Sequence, residues 1–203
     1  MTEARVRRTP RQSRSLERVQ RIQAAALTLV QEGGVDAVTT TAIAERAEVS
    51  VATLYQFFAN RDAVLEALIG GQIEILDRRM AEELTTTGRP DTIAAAVETF
   101  IAIHNAHYLE HPQFVALYYK GRARSSGLNK DAHTHLTRIA DMLYTGLIST
   151  GLLPRDTDRR VVEVAVELGD RIFEMAYRDH PTGDEQIIAE GTLALTRYLE
   201  AHR

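Results

Sequence analysis

An all-α fold is predicted by three features of this 203-residue sequence. Apolar residues recur every three or four positions along most of the chain, which is the spacing of a helix face. Alternating runs rich in β-branched residues, the mark of strands, are absent. Proline is scarce after Pro10, and Pro90, Pro112, Pro154 and Pro181 fall where loops or helix starts are expected. The expected arrangement is a three-helix N-terminal head followed by a C-terminal body of about six helices.

Residues 1–15 are arginine-rich and lack an apolar stripe, so a flexible basic arm is expected. The first helix follows from Leu16, Val19, Ile22, Ala26 and Leu29, and Gly33–Gly34 stops it. Thr39, Thr40 and Thr41 offer cap hydroxyls to a short second helix over 42–47. Ser50 caps a third that ends at Phe57. Asn60 caps a long fourth, with Asp62 near its positive end. Residues 16–61 thus make the head and 62–203 the body. Body helices are predicted over 92–110, 112–120, 131–150, 157–177 and from 185 to the C-terminal end. The polar, glycine- and serine-bearing stretch 121–129 is predicted to be a loop. Thr182 and Glu185 have the spacing of a capping box for the last helix.

The chain contains no cysteine, which excludes disulfides, Cys-ligated zinc, iron–sulfur clusters and a cysteine nucleophile. No apolar run is long enough to cross a membrane. Arginines at the N-terminus are not followed by an apolar stretch, so a secretory signal is not expected and the cytoplasm is. The net charge of −4 hides an asymmetry. Residues 1–21 hold seven arginines against two glutamates; residues 1–61 net +3 and the remainder −7. A basic head on an acidic body suits contact with a polyanion at one end; a solvated tail would carry the same charge.

The segment from Thr39 to Arg61, TTTAIAERAEVSVATLYQFFANR, carries the most chemistry. Two short helices joined by a tight turn have the pattern of a helix-turn-helix. Ala44 is small enough to let them approach, Val49 sits at the corner, and Ile43, Leu54 and Phe58 are expected to face the first helix. That leaves Ser50, Val51, Ala52, Thr53, Tyr55 and Gln56 outward. Small and hydrogen-bonding side chains on such a face suit close approach to a major groove. A purely structural helix-turn-helix, used for protein contacts, remains the alternative.

The stretch IAERAEVSVATLYQFFANRDAVLEAL, with RIQAAALTLVQEGGVDAVTTTAIA before it, resembles the N-terminal signature of the TetR family of bacterial transcriptional regulators. The resemblance is specific over about residues 22–68. It implies a DNA-binding head, a linking fourth helix, and a body that binds a small effector and forms a homodimer through its last two helices. By position, Thr40 and Thr41 would approach phosphate, Val51, Ala52, Thr53 and Gln56 would face bases, and Tyr55 and Arg61 would hold phosphate. Two positions depart from the family pattern. Glu48 stands where glycine is common, and Phe57 where His or Tyr is frequent.

In the body, Ile93, Val97, Phe100, His104 and Tyr108 share a stripe. His104, His107 and His111 are spaced to meet on one helix face, but no carboxylates mark a metal site and none is expected. Two roles fit His104, a satisfied core residue or the polar contact of an apolar pocket. The aromatic residues point to a lipophilic or aromatic effector, with Phe100, His104, Tyr108, Tyr118, Met142 and Phe173 as candidate lining. A body whose aromatics only fill the core, with no effector, is the other reading. Residues 157–177 are apolar over too wide an arc for one buried face. With 185–202, where Gly191 and Ala194 permit close packing, they are the expected homodimer contact. No nucleophile elbow, phosphate loop, HExxH pair or nucleotide-binding glycine pattern is present, so neither an enzyme nor a cofactor is expected. The expected partners are an inverted-repeat duplex operator and a small effector.

Overall fold

The computed structural model describes residues 13–86, 88–122 and 126–203. Among these residues the regular structure is nine α-helices and one 3-10 turn. They are α1 Ser13–Gly33, α2 Thr40–Arg46, α3 Val51–Phe57, α4 Arg61–Thr86, α5 Ile93–Glu110, α6 Pro112–Arg122, α7 Ser126–Ser149, α8 Arg159–Tyr177 and α9 Glu185–Glu200. The turn, Val35–Ala37, lies between α1 and α2. Most of the expected basic arm lies outside the described residues, and α1 has already begun at Ser13.

By packing, the described residues form two compact units: 13–73 with 113–122 and 126–132, and 74–86 and 88–112 with 133–203. In the first, Ile22 and Ala26 of α1 meet Ile43 of α2 and Leu54 and Phe58 at α3 in a core where all five are fully buried. Leu16, expected on the same stripe, is half exposed. In the second, α8 packs on α9 and α9 on α5. Val162, Val166 and Phe173 of α8 are buried there with Leu195 and Leu199 of α9.

Local signals set most boundaries. Thr39, Ser50 and Thr92 each accept a backbone N–H three residues on, at 3.1, 3.0 and 3.1 Å. The Asn60 carboxamide oxygen does the same for Ala63 at 2.8 Å. Two expectations are corrected. The predicted loop over 121–129 is largely helical: α6 runs to Arg122 and α7 begins at Ser126. Polar composition with two glycines, Gly121 and Gly127, is a weak bar to helix, and context overrides it. The capping box at Thr182 does not set the start of α9. Asp184 caps that helix, its carboxylate accepting from Gln186 and Ile187 at 2.9 and 3.1 Å. Asp184 immediately precedes the first helical residue, where a charged acceptor also meets the positive helix end.

Candidate nucleic-acid interface and ligand cavity

The helix-turn-helix is built by a few short-range interactions. Ala44 and Ala47 are buried, so α2 and α3 approach through methyl groups. The turn closes with the Val49 N–H donating to the Ala44 carbonyl at 3.0 Å. Val49 is only half-buried, so Ala47 shares the corner role expected of it. Glu48 holds a left-handed backbone with φ of 52°. Glycine reaches this conformation without strain, whereas a side chain here costs energy. Arg46 braces the module by a two-pronged pair with Glu32 of α1, at 2.9 and 2.6 Å. That guanidinium, donating to both oxygens, holds the Glu32 carboxyl below the usual carboxylate range.

Of the outward residues, Ser50, Val51, Ala52, Tyr55 and Gln56 are exposed and Thr53 is half-buried. Val51 and Tyr55 keep 36% and 40% of their surface. The Ser50 and Thr53 hydroxyls bond each other at 2.8 Å, so part of their capacity is already used. Tyr55 and Gln56 are the polar side chains on α3 that make no hydrogen bond with the described residues. Thr40 is half-buried and Thr41 exposed at the start of α2. Arg61 is half-buried, its Nε 3.6 Å from the Asp62 carboxylate. Phe57 is buried in the core, which explains an apolar ring where a hydrogen-bonding one is frequent. Part of the basic head counted in the sequence becomes a face of α1. Arg14, Arg18 and Arg21 line one exposed side of α1. Their i, i+4, i+7 spacing was the available signal.

In the second unit, the end of α4, the loop before α5, α5 itself and the C-terminal half of α7 enclose a cavity of about 370 Å³. Phe100 and Met142, two of the six predicted lining residues, face it with Ile103, Leu143 and Leu147. Three others pack together as rings. His104 stacks on Phe173 at 5.6 Å between centroids, and Tyr108 meets Phe173 edge-on at 5.2 Å. Phe100 joins the two groups, its ring 4.0 Å from that of His104. Tyr118 is buried on α6, in the first unit.

His104 is a neutral core residue. Its Nδ1 lies 2.8 Å from the Phe100 carbonyl, which can only accept, so Nδ1 carries the proton. Burial pushes its pKa down to about 3. Burial, then the His111 charge, pushes His107 down to about 4. Asp77 lies 3.4 Å from His135 Nδ1 and 3.3 Å from Arg138. Among the described residues no group of three or more His, Asp or Glu side chains is placed to hold a metal ion.

α8 is apolar on two sides. One is the core face already described. On the other, Val164, Leu168 and Met175 each stay 44% exposed, and Leu193 of α9 51%. Leu168, Ile172 and Met175 form a shallow groove with Ile187, Gly191 and Ala194 of α9. No helix among the described residues is long and apolar enough to cross a membrane.

A capped helix-turn-helix with an exposed second helix, joined to a helical body, defines a DNA-binding transcriptional regulator. Comparison with known proteins gives the family. The model for the regulatory proteins of the bacterial tetR family matches residues 22–68, and that for the tetracyclin repressor-like C-terminal domain matches 90–199. The chain belongs to the TetR family, whose members are DNA-binding regulators and not enzymes. A TetR-family regulator from Streptomyces coelicolor superposes with a TM-score of 0.67 at 33% identity, covering 92% of this chain and 98% of that one. The fatty acid degradation regulator FadR from Bacillus halodurans shares the fold, with a TM-score of 0.68 at 15% identity over 88% and 94% of the chains. The transcriptional repressor KstR of Mycolicibacterium smegmatis is 36% identical over 74 residues, 36% of each chain. The match thus spans about a third of that curated relative.

Proposed function

We propose that this chain is a ligand-responsive repressor that binds an inverted-repeat operator as a homodimer. The observation that carries the reading is the outward face of α3, with Gln56 uncommitted among small side chains and Tyr55 exposed beside it. The repressor sense draws on the name of the KstR relatives. Thr40, Thr41, Ser50, Tyr55 and Arg61 would contact phosphate or sugar, and Val51, Ala52, Thr53 and Gln56 base edges. The uncovered apolar face of α8 and α9 supports a twofold contact. A dimer would set two α3 helices roughly 34 Å apart, or a multiple of that, to reach successive major grooves. The cavity beside Phe100 is the effector site in this reading, and a coupling of ~1–3 kcal/mol would suffice to release DNA.

Nuclease protection of the DNA flanking its own gene, followed by selection from randomised duplexes, tests the reading. A protected inverted repeat with strongly salt-dependent affinity is expected. Binding that is absent, or indifferent to salt, would favour a helix-turn-helix that contacts protein. Two variants test individual roles. Gln56→Ala is expected to relax preference at one position in each half-site, at ~1–3 kcal/mol for a bidentate contact. An unchanged selected sequence would remove Gln56 from the interface. Arg61→Ala is expected to weaken all duplexes alike and flatten the logarithmic salt slope by about one. A wild-type slope would refute the phosphate contact.

A further inference from the structure

We infer that the ligand of the α4–α5–α7 cavity is an amphiphile with one anionic head group, held by Arg89, and an apolar body. This rests on the reading of that cavity as the effector site. The lining is apolar through Phe100, Ile103, Met142, Leu143 and Leu147, and among the described residues Arg89 is its only charged side chain. Arg89 makes no ion pair with any described residue, including nearby Asp91. No carboxylate among the described residues lines the cavity, so a cationic ligand would meet repulsion from Arg89 and no counter-charge from them.

The hydroxyls narrow the choice further. Those of Thr145, Ser149 and Thr150 donate to the carbonyls of Asp141 and Gly146 at 2.8, 3.0 and 2.8 Å. They have no proton left to donate. Thr99 is the one lining hydroxyl that makes no such bond. The groups with donor capacity to spare are therefore Arg89 and Thr99, both suited to an oxyanion. A guanidinium takes a carboxylate through two parallel N–H bonds, which an alcohol or ketone cannot reproduce. The start of α5 adds to the same sign. Ala96 lines the cavity within the first turns of that helix, whose first turn carries no acidic residue. The volume of about 370 Å³ holds roughly a dozen groups of water size. A chain of about ten carbons and its head group fills that space.

Calorimetric titration of the full chain with decanoate, 1-decanol and decylammonium, at neutral pH and low salt, separates head-group charge from chain. Decanoate is expected to bind about fivefold more tightly than decanol, with decylammonium weakest. The preference should shrink as salt rises. Arg89→Gln should bring decanoate down to the decanol level, and Arg89→Lys, which keeps the charge but not the two-pronged fork, should restore only part of the difference. 2-Naphthoate, run beside decanoate, distinguishes a planar body from a chain; tight binding of either through Arg89 supports the inference. Gly146→Phe locates the site. A Cβ at Gly146 meets no atom within 4 Å, so the ring can enter the cavity without disturbing α7, and all three probes should lose affinity. Equal affinity for decanoate and decanol, or a carboxylate preference that survives Arg89→Gln, would overturn the anionic head group and leave the cavity as effector site intact. No binding by any probe, or binding indifferent to Gly146→Phe, would overturn both.

Discussion

Between pH 7.5 and 5 the protein is expected to lose about 4 kcal/mol of stability, from two buried imidazoles. His104 and His107 are almost wholly inaccessible, and burial holds their pKa values near 3 and 4. In the unfolded chain both return to about 6.5. Below pH 6.5 the unfolded state therefore binds protons that the folded state refuses, and stability rises with pH across this window. Each ring contributes fully above pH 6.5. Its contribution falls as pH drops and levels off only near its folded value. At pH 5 the loss is about 2 kcal/mol per ring, a large share of a typical stability of about 5–15 kcal/mol. The groups around them act on the same balance. His135 and His107 disfavour a charge on His104 while Asp77 favours it; Arg79 and His111 oppose one on His107 while Glu110 favours it. Carboxylates held low by arginine, such as Glu110 beside Arg79, lose their contribution at lower pH and do not share the window. Denaturant unfolding at pH 7.5, 6 and 5 measures the slope. His104→Leu should remove about half of it, because an aliphatic side chain has no proton to gain. A wild-type slope in that variant would show that His104 is not the group responsible.

How much was legible depended on whether the signal was local. The helix-turn-helix was readable because each part has a short-range cause. Thr39 and Ser50 are cap hydroxyls, Ala44 a close-approach residue, and Ile43, Leu54 and Phe58 a core stripe at helical spacing. The left-handed Glu48 could be anticipated only because a related pattern has glycine there; nothing in its own chemistry announces a positive φ. The cap of α9 was misassigned because Thr182 and Glu185 satisfy a spacing rule, whereas Asp184, one residue from the helix, is the group placed to accept its first N–H groups. In the body, aromatic composition identified rings that meet, yet it could not divide packed rings from lining ones. His104 and Phe173 stack, whereas Phe100 and Met142 face open volume. That division is set by which α7 residues stand opposite α5, a pairing about forty residues apart in sequence with no local signature. Arg89 and Thr99 went unnoticed for the same reason: a single arginine in a loop reads as a solvated surface charge until the lining around it is known.

Gly191→Ala is expected to destabilise the protein by about 1 kcal/mol, and Gly191→Leu by about 3 kcal/mol. Helix propensity predicts the opposite sign for alanine. Gly191 lies inside α9, where replacing glycine by alanine ordinarily gains up to about 1 kcal/mol. Packing against α8 decides the outcome. A Cβ at Gly191 would stand 2.4 Å from Ile172 Cγ2 and 2.9 Å from its Cδ1, far inside contact distance. Ile172 is β-branched, and in a helix such a side chain keeps one strongly preferred χ1, so Cγ2 cannot swing aside cheaply. The helices must part instead, and Val166, Phe173 and Leu195 lose contact with their neighbours along the same seam. A double-mutant cycle isolates the cause. Ile172→Ala alone should cost stability through lost burial. Combined with Gly191→Ala it should restore part of the loss, with a coupling of about 1 kcal/mol or more. The same pair bears on assembly, because Ile172 and Gly191 both line the groove proposed as the twofold contact. Sedimentation of Gly191→Leu at neutral pH should therefore show monomers at concentrations where the proposed reading expects the wild-type chain to dimerise. A stabilising Gly191→Ala, measured by denaturant midpoint, would mean that α8 and α9 tolerate separation and that glycine is not required at their crossing.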